Sequence, residues 1–231
     1  METFNNGQIT LYQADCRDVF LLLSGVDCLV TDPAYKVISG GNTTKHKRTS
    51  GVLSANDGKI FEHNDIKPRD WIPLLFNVMR DPSHLYIMTN FLNLREIMDV
   101  AVEAGLQLHN LLVWKKNTVT PNRWYMKDIE YTVFARKGPA FAINDKGSKT
   151  CQEVTNTRDR LHPTEKPVEL MRTYITNSTT EGDLVLDPFL GSGTTAIAAI
   201  REGCQFVGIE KDPVYYRVAC ERIEKELSCP Y

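Results

Sequence analysis

An α/β fold with a largely parallel sheet is predicted from three observations. Short apolar strands alternate with amphipathic helices along most of the chain. Several strands stop at an acidic residue, as at Asp32, Asp187 and Glu210. One of them, Leu184 to Leu186, runs through a glycine-containing turn directly into a helix. Gln8 to Gln13 reads as the first strand, and Asp27 to Thr31 as the second, halted at Asp32-Pro33. Residues 36–69 lack periodicity and are rich in Gly, Ser, Thr, Asn and Lys, so a long loop is predicted there. Trp71 to Met79 reads as a helix, His84 to Thr89 as a strand, and Leu92 to Ala104 as a helix ending at Gly105. Leu108 to Trp114 and Ile129 to Ala135 are strands with no helix between them, which suggests a hairpin and one antiparallel strand. Residues 138–160 read as irregular. Pro167 to Asn177 is a helix with proline in its first turn. Leu184 to Leu186, Thr194 to Arg201 (closed by Gly203), Gln205 to Ile209 and Pro213 to Leu227 complete a strand–helix–strand–helix series.

At 231 residues the chain suits a single catalytic-sized domain, large enough to bury a core without staples. With 42% hydrophobic and 24% charged residues it is neither disordered nor collagen-like. No apolar run approaches the roughly 20 residues a membrane helix needs. The segment opening Met1-Glu2-Thr3 lacks a basic stretch followed by an apolar one, so the cytoplasm is the expected compartment. None of the six cysteines forms a Cys-x-x-Cys pair, so no metal site is expected. Cys204 and Cys220 read as buried reduced thiols. The net charge of −2 is unevenly spread: residues 36–69 carry +4 and 113–149 carry +5, while 150–172 balance, leaving −11 elsewhere. An acidic scaffold presenting a basic face to a polyanion is one reading, and two solvated lysine-rich loops the other.

Chemistry concentrates in three segments. In Asp187-Pro188-Phe189-Leu190-Gly191-Ser192-Gly193-Thr194-Thr195, glycines let backbone approach a ligand and the helix start offers free N–H groups. About twenty residues on, Glu210 ends the next strand, where an acid can accept from ribose hydroxyls. The segment is neither G-x-G-x-x-G nor a P-loop, and Asp187 at the turn would repel a pyrophosphate but suits a cationic ligand such as S-adenosylmethionine. The second segment is Thr31-Asp32-Pro33-Ala34-Tyr35 at a strand's carboxyl end, and the third is His162-Pro163-Thr164-Glu165-Lys166-Pro167 before a helix. Either alone is also common turn punctuation.

In chain order, with the Asp32-Pro33-Ala34-Tyr35 segment first, His162 to Pro167 next and Asp187 to Thr195 last, the three segments resemble the amino-methyltransferases of DNA, specifically their circularly permuted β class, in which the target-amine motif precedes the cofactor motif; the resemblance runs from Gln13 to about Leu227. The resemblance implies a Rossmann-like, mostly parallel seven-stranded sheet that binds S-adenosylmethionine at its strand ends, with no metal. By position it implies that Asp187, Phe189, Gly191, Ser192, Gly193 and Thr194 shape the methionine pocket and that Glu210 binds the ribose. Asp15 and Cys16 would hold the adenine ring, while His162, Thr164 and Lys166 close over the methionine end. Asp32, Pro33 and Tyr35 would form the catalytic site, the first two accepting the target amine's hydrogens and the third stacking on a flipped base. The strands around Trp114 and Glu130 would wall the target-base side. Ala34 departs from the family's usual Asp/Asn/Ser-Pro-Pro-aromatic pattern, removing a proline's stiffness from the turn.

Asp at the first position goes mostly with adenine N6, with cytosine N4 the alternative. C5-cytosine chemistry is excluded because the only cysteine beside a proline, Cys229, stands in reverse order near the tail. A catalytically dead DNA-binding relative is disfavoured by the intact Asp32, Asp187 and Glu210. A nicotinamide-dependent dehydrogenase is disfavoured by the missing G-x-G-x-x-G. The expected partner is double-stranded DNA, contacted by Lys45, Lys47, Arg48, Lys115, Lys116 and Arg123. Base recognition falls to residues 36–69 and 138–160, small for the task, so short specificity or a homodimer's second subunit is implied.

Overall fold

The computed structural model describes residues 1–33, 66–120, 125–156 and 165–228. Tyr35, Lys45, Lys47, Arg48, Arg123, His162 and Thr164, together with Ala34 and most of the predicted loop 36–69, lie outside the described residues.

One sheet organises the chain. Its strands are β1 (Glu2–Phe4), β2 (Ile9–Gln13), β3 (Val26–Thr31), β4 (Met79–Thr89), β5 (Gln107–Thr120), β6 (Lys127–Lys137), β7 (Cys151–Glu153), β8 (Leu184–Asp187) and β9 (Gln205–Glu210). They lie in the order β1-β2-β9-β8-β3-β4-β6-β5-β7. From β2 through β4 every neighbouring pair is parallel. β6 runs antiparallel to both β4 and β5, so the hairpin expectation holds and β6 is the reversed strand. The seven strands from β2 to β5 form the expected sheet, extended by the short edge strands β1 and β7.

Side chains alternate across the sheet, as a pleat with both faces covered requires. Cys28, Val30, Tyr86, Met88, Val185 and Phe206 face one core with helices α4 (Val168–Ser178), α5 (Thr194–Arg201) and α6 (Pro213–Ser228). Val26, Leu29, Leu85, Ile87, Leu186 and Val207 face the other, with α1 (Cys16–Phe20), α2 (Pro68–Val78) and α3 (Phe91–Glu103). The next described helices after the neighbouring strands β3 and β8, α2 and α5, lie on opposite faces of the sheet. That divergence opens a crevice at their carboxyl ends, the position where open α/β sheets bind ligands.

Several predicted boundaries change: β4 begins at Met79 and β5 runs on to Thr120, longer than read, and three further changes have local causes. The loop predicted to reach residue 69 gives way to helix at Pro68, because proline is well placed in a first turn and Asp70 accepts from the Lys67 N–H at 2.8 Å. Within the irregular stretch 138–160, Cys151–Glu153 pairs with β5 as an edge strand, fastened where Trp114 Nε1 donates to the Val154 carbonyl at 2.8 Å. Cys16, expected beside the adenine ring, is the first residue of α1, a helix not read from the sequence, which is capped by Asp15 accepting from the Arg17 N–H.

Candidate active site

The parallel register lines four carboxylates along one sheet edge. Gln13 lies opposite Glu210, so Asp15 and Glu210 end adjacent strands. Leu29 lies opposite Leu186, which sets Thr31 and Asp32 beside Asp187. Reading across β2, β9, β8 and β3, the edge presents Asp15, Glu210, Asp187 and Asp32.

Asp187 is 3% exposed and fully engaged. Its Oδ1 accepts from Thr31 Oγ1 at 2.7 Å and the Phe189 N–H at 3.0 Å, and its Oδ2 from Thr195 Oγ1 at 2.6 Å. Burial pushes its carboxyl up to about 6 against the pull of these donors. Glu210 accepts from the Gly191 N–H and the Asp212 N–H, both at 2.8 Å, so it ties the glycine turn to the end of β9. Burial raises it to about 7. Gly191 and Gly193 adopt φ of +53° and +85°, and a Cβ on Gly191 would meet nothing within 4 Å, leaving open space over the turn.

A cavity between the ends of β3 and β8 and the start of α4 is lined by Asp32, Lys166, Asp187, Phe189, Gly191, Ser192 and Thr194, joined by Glu165, Met171, Leu190 and Thr195. Phe189 is held edge-on by Trp71 of α2, ring centroids 5.0 Å apart. Gly193 is the left-handed cap of α5 behind this cavity. Asp15, Cys16 and Glu210 stand outside its lining, further along the edge. Asp15 is bound at both oxygens by the Arg17 guanidinium, at 2.8 and 2.7 Å, which holds it far below the usual carboxylate range. Cys16 is buried and its thiol is pushed up to about 12 by that burial.

At the second motif, Asp32 Oδ2 ion-pairs with Lys166 Nζ, while Asp32 Oδ1 is buried with no hydrogen-bond partner among the described residues. Lys166 also lies 3.3 Å from Glu130 Oε2 of β6. Burial raises the Asp32 carboxyl, opposed by Lys166. Of the two described lysines expected at DNA, Lys115 is half-exposed and pairs with Glu153 at 2.9 Å. Lys116 is turned inward, 13% exposed and 3.0 Å from Glu130. Four positions escaped the sequence reading. Glu165 bridges to Arg222 of α6 at 2.9 Å, and Thr31 and Thr195 clamp Asp187. Thr31, Glu165 and Thr195 each sit inside a quoted motif and were legible as neighbours. Arg222 carried no local signal, whereas Glu130 lies on a strand that the resemblance placed at the target-base side.

A doubly wound sheet with carboxylates at its strand ends, a glycine turn without phosphate-binding chemistry and an Asp-Pro element across the crevice defines a Rossmann-like methyltransferase. The chain belongs to the DNA methylase family, whose pattern it matches over residues 26–221, and it is a DNA methyltransferase. It is similar to the Type II methyltransferase M2.DpnII of Streptococcus pneumoniae, 28% identical over 250 residues that cover 96% of this chain and 92% of that one. It is also similar to the Type II methyltransferase M2.LlaDCHI of Lactococcus lactis subsp. cremoris, 28% identical over 90% of this chain and 87% of the other. Among solved structures, the M1.HpyAVI–SAM complex superposes with a TM-score of 0.72 at 25% identity, over 93% of this chain and 99% of that one.

Proposed function

We propose that this DNA methyltransferase transfers a methyl group from S-adenosylmethionine to the exocyclic N6 amine of adenine in double-stranded DNA. The observation that carries this reading is Asp32. One of its oxygens is held by Lys166, and the other is a buried acceptor without a partner among the described residues, at the mouth of the cavity bounded by Asp187. The unpartnered oxygen can accept an N–H of the target amine, and the Pro33 carbonyl the second. Adenine N6 is a poor nucleophile because its lone pair is delocalised into the ring. Two fixed acceptors favour a tetrahedral nitrogen, and the carboxylate stabilises the positive charge that develops there.

The residues fit S-adenosylmethionine by their donor chemistry. Asp187 and Glu210 suit a cationic, phosphate-free ligand with ribose hydroxyls, and the open space over Gly191 admits it. When bound, this cofactor supplies an electrophilic sulfonium methyl. The protein orients the amine, excludes water around Asp32 and needs no covalent intermediate on its own side chains. The complex of M1.HpyAVI with SAM supports the same assignment. Asp at position 32 favours adenine over cytosine N4. Tyr35 is assigned the stacking face for the flipped base, His162 and Thr164 the closure over the methionine end, and Lys45, Lys47, Arg48, Lys115 and Arg123 the phosphate contacts. The whole chain acts as one catalytic domain, with a second copy able to supply further recognition surface.

The test is single-turnover methylation of duplex DNA with labelled cofactor, followed by nucleoside analysis. Label is expected on N6-methyladenine. Asp32→Ala is expected to lower the rate by about 10²–10³-fold while S-adenosylhomocysteine affinity holds. Label on N4-methylcytosine would reassign the base, and near-normal turnover of Asp32→Ala would remove Asp32 from the chemistry.

A further inference from the structure

Four charged side chains from distant parts of the sequence form a ladder behind the target-amine site. Asp32, after β3, pairs with Lys166, which precedes α4. Lys166 lies 3.3 Å from Glu130 Oε2 on β6, and Glu130 Oε1 accepts from Lys116 Nζ on β5 at 3.0 Å. Exposure along the ladder is 19%, 5%, 22% and 13%, so little solvent screens it. Two carboxylates and two ammonium groups sum to zero charge.

We infer that Glu130 is a positioning residue for methyl transfer, acting through Lys166 on Asp32 and keeping the ladder neutral where the target nitrogen becomes cationic. This rests on the function proposed above. As the N–C bond forms and the S–C bond breaks, the sulfonium would leave as the neutral thioether of S-adenosylhomocysteine, positive charge would appear on the nitrogen facing Asp32, and the nitrogen would then lose its extra proton through the Asp32 carboxylate to solvent. With Glu130 in place, Lys166 is shared between two carboxylates and sits on one oxygen of Asp32, leaving the other for the amine. Without its charge, two ammonium groups face one carboxylate, and a net positive charge opposes the developing cation. Burial is the largest single effect on Glu130 and raises it, but Lys166 and Lys116 together outweigh it and hold the carboxyl below its ordinary value. Among the described residues, the other titratable groups that act on the ladder are Asp187 on β8, beside Asp32, and Tyr174 on α4. The Tyr174 hydroxyl lies 3.1 Å from Thr132 Oγ1, and burial keeps this phenol neutral.

The experiment compares wild type, Glu130→Gln, Lys116→Met, the double variant and Asp32→Ala in single turnover at saturating duplex and S-adenosylmethionine across pH. S-adenosylhomocysteine affinity serves as the folding control. Glu130→Gln is expected to slow the reaction by roughly tenfold or more and to shift the acid limb of the pH profile down. Lys116→Met should shift that limb up. The double variant, neutral again, should recover most of the rate that Glu130→Gln loses, which a merely structural role would not produce. Two results would overturn the inference: an acid limb unmoved in both single variants, or a double variant no faster than Glu130→Gln. Should Glu130→Gln fail to bind S-adenosylhomocysteine, the limb of Lys116→Met decides alone. Retained turnover in Asp32→Ala would instead indict the proposed function.

Discussion

At the scale of single residues, the site holds carboxylates that folding penalises. Asp187 at about 6 and Glu210 at about 7 bind protons more tightly in the folded protein than carboxyls ordinarily do. The folded state therefore carries more protons than the unfolded one between their ordinary and raised values. The penalty is absent below the ordinary range and complete above about 7, so the ligand-free protein loses stability as pH rises through this window. A ligand that donates to these groups prefers them ionised, so its affinity should move the opposite way. From about pH 6.5 to about pH 8, the melting temperature of the free protein is expected to fall, while S-adenosylhomocysteine affinity rises by roughly tenfold from about pH 5 to about pH 8. Asp15 and Glu130, both held below their ordinary values, act in a lower pH range, whereas His84, lowered by burial to about 4, adds stability as pH rises to its ordinary value of 6.5, which is why the fall is read above that point. Scanning fluorimetry and calorimetry across pH check both slopes, and parallel slopes would contradict the account. Glu210→Ala should flatten the affinity curve near neutrality and weaken binding throughout, since hydrogen bonds to a charged group are worth about 1.5–3 kcal/mol each at best.

At the scale of elements, the turn from β8 into α5 separates stability from binding between two glycines. Both are left-handed, a conformation that costs a residue with a Cβ about 1–2 kcal/mol. Around Gly193 the space is closed, because a Cβ there would lie 3.2 Å from that of Ala219 on α6. Around Gly191 it is open, on the side that lines the cavity. Gly193→Ala is expected to be the more destabilising in urea, and Gly191→Ala the more damaging to S-adenosylhomocysteine affinity relative to its stability cost. Equal profiles for the two would mean that α6 packing and ligand space do not divide the turn in this way. This turn was legible in the sequence because its glycines, its apolar strand and its helix are contiguous. The same holds for α5, predicted over its observed span, and for β6, whose missing crossover helix marked the reversal. Short elements were not legible: β1 and β7 have three residues each and α1 five, too few for a period to register. Nor was the charge ladder, since Lys166 meets Asp32 across 134 positions and nothing near either residue advertises the pairing.

At the scale of the whole molecule, the sheet gathers the carboxylates on one edge, while the positive charge is concentrated in two segments of an otherwise acidic chain. Part of that positive charge already has a carboxylate partner: Lys116 is turned inward onto Glu130, and Lys115 forms a surface pair with Glu153. The +4 of residues 36–69, which follow directly on Tyr35, is therefore the better candidate for meeting the DNA backbone. Neutralising Lys45, Lys47 and Arg48 together is expected to weaken binding to all duplex sequences alike, because phosphate contacts carry no base information. Every phosphate that a neutralised side chain no longer reaches should lower the slope of log affinity against log salt by up to about 0.9, so the triple variant should be visibly less salt-sensitive than wild type. S-adenosylhomocysteine affinity should stay where it is, since none of the three belongs to the strand-end carboxylates or the glycine turn. Titration of duplex DNA at several salt concentrations decides the matter. Parallel lines of equal affinity would leave these lysines and the arginine as solvated surface charge and move the DNA face to residues 113–149, where Lys115→Ala would then be the variant to show the reduced slope.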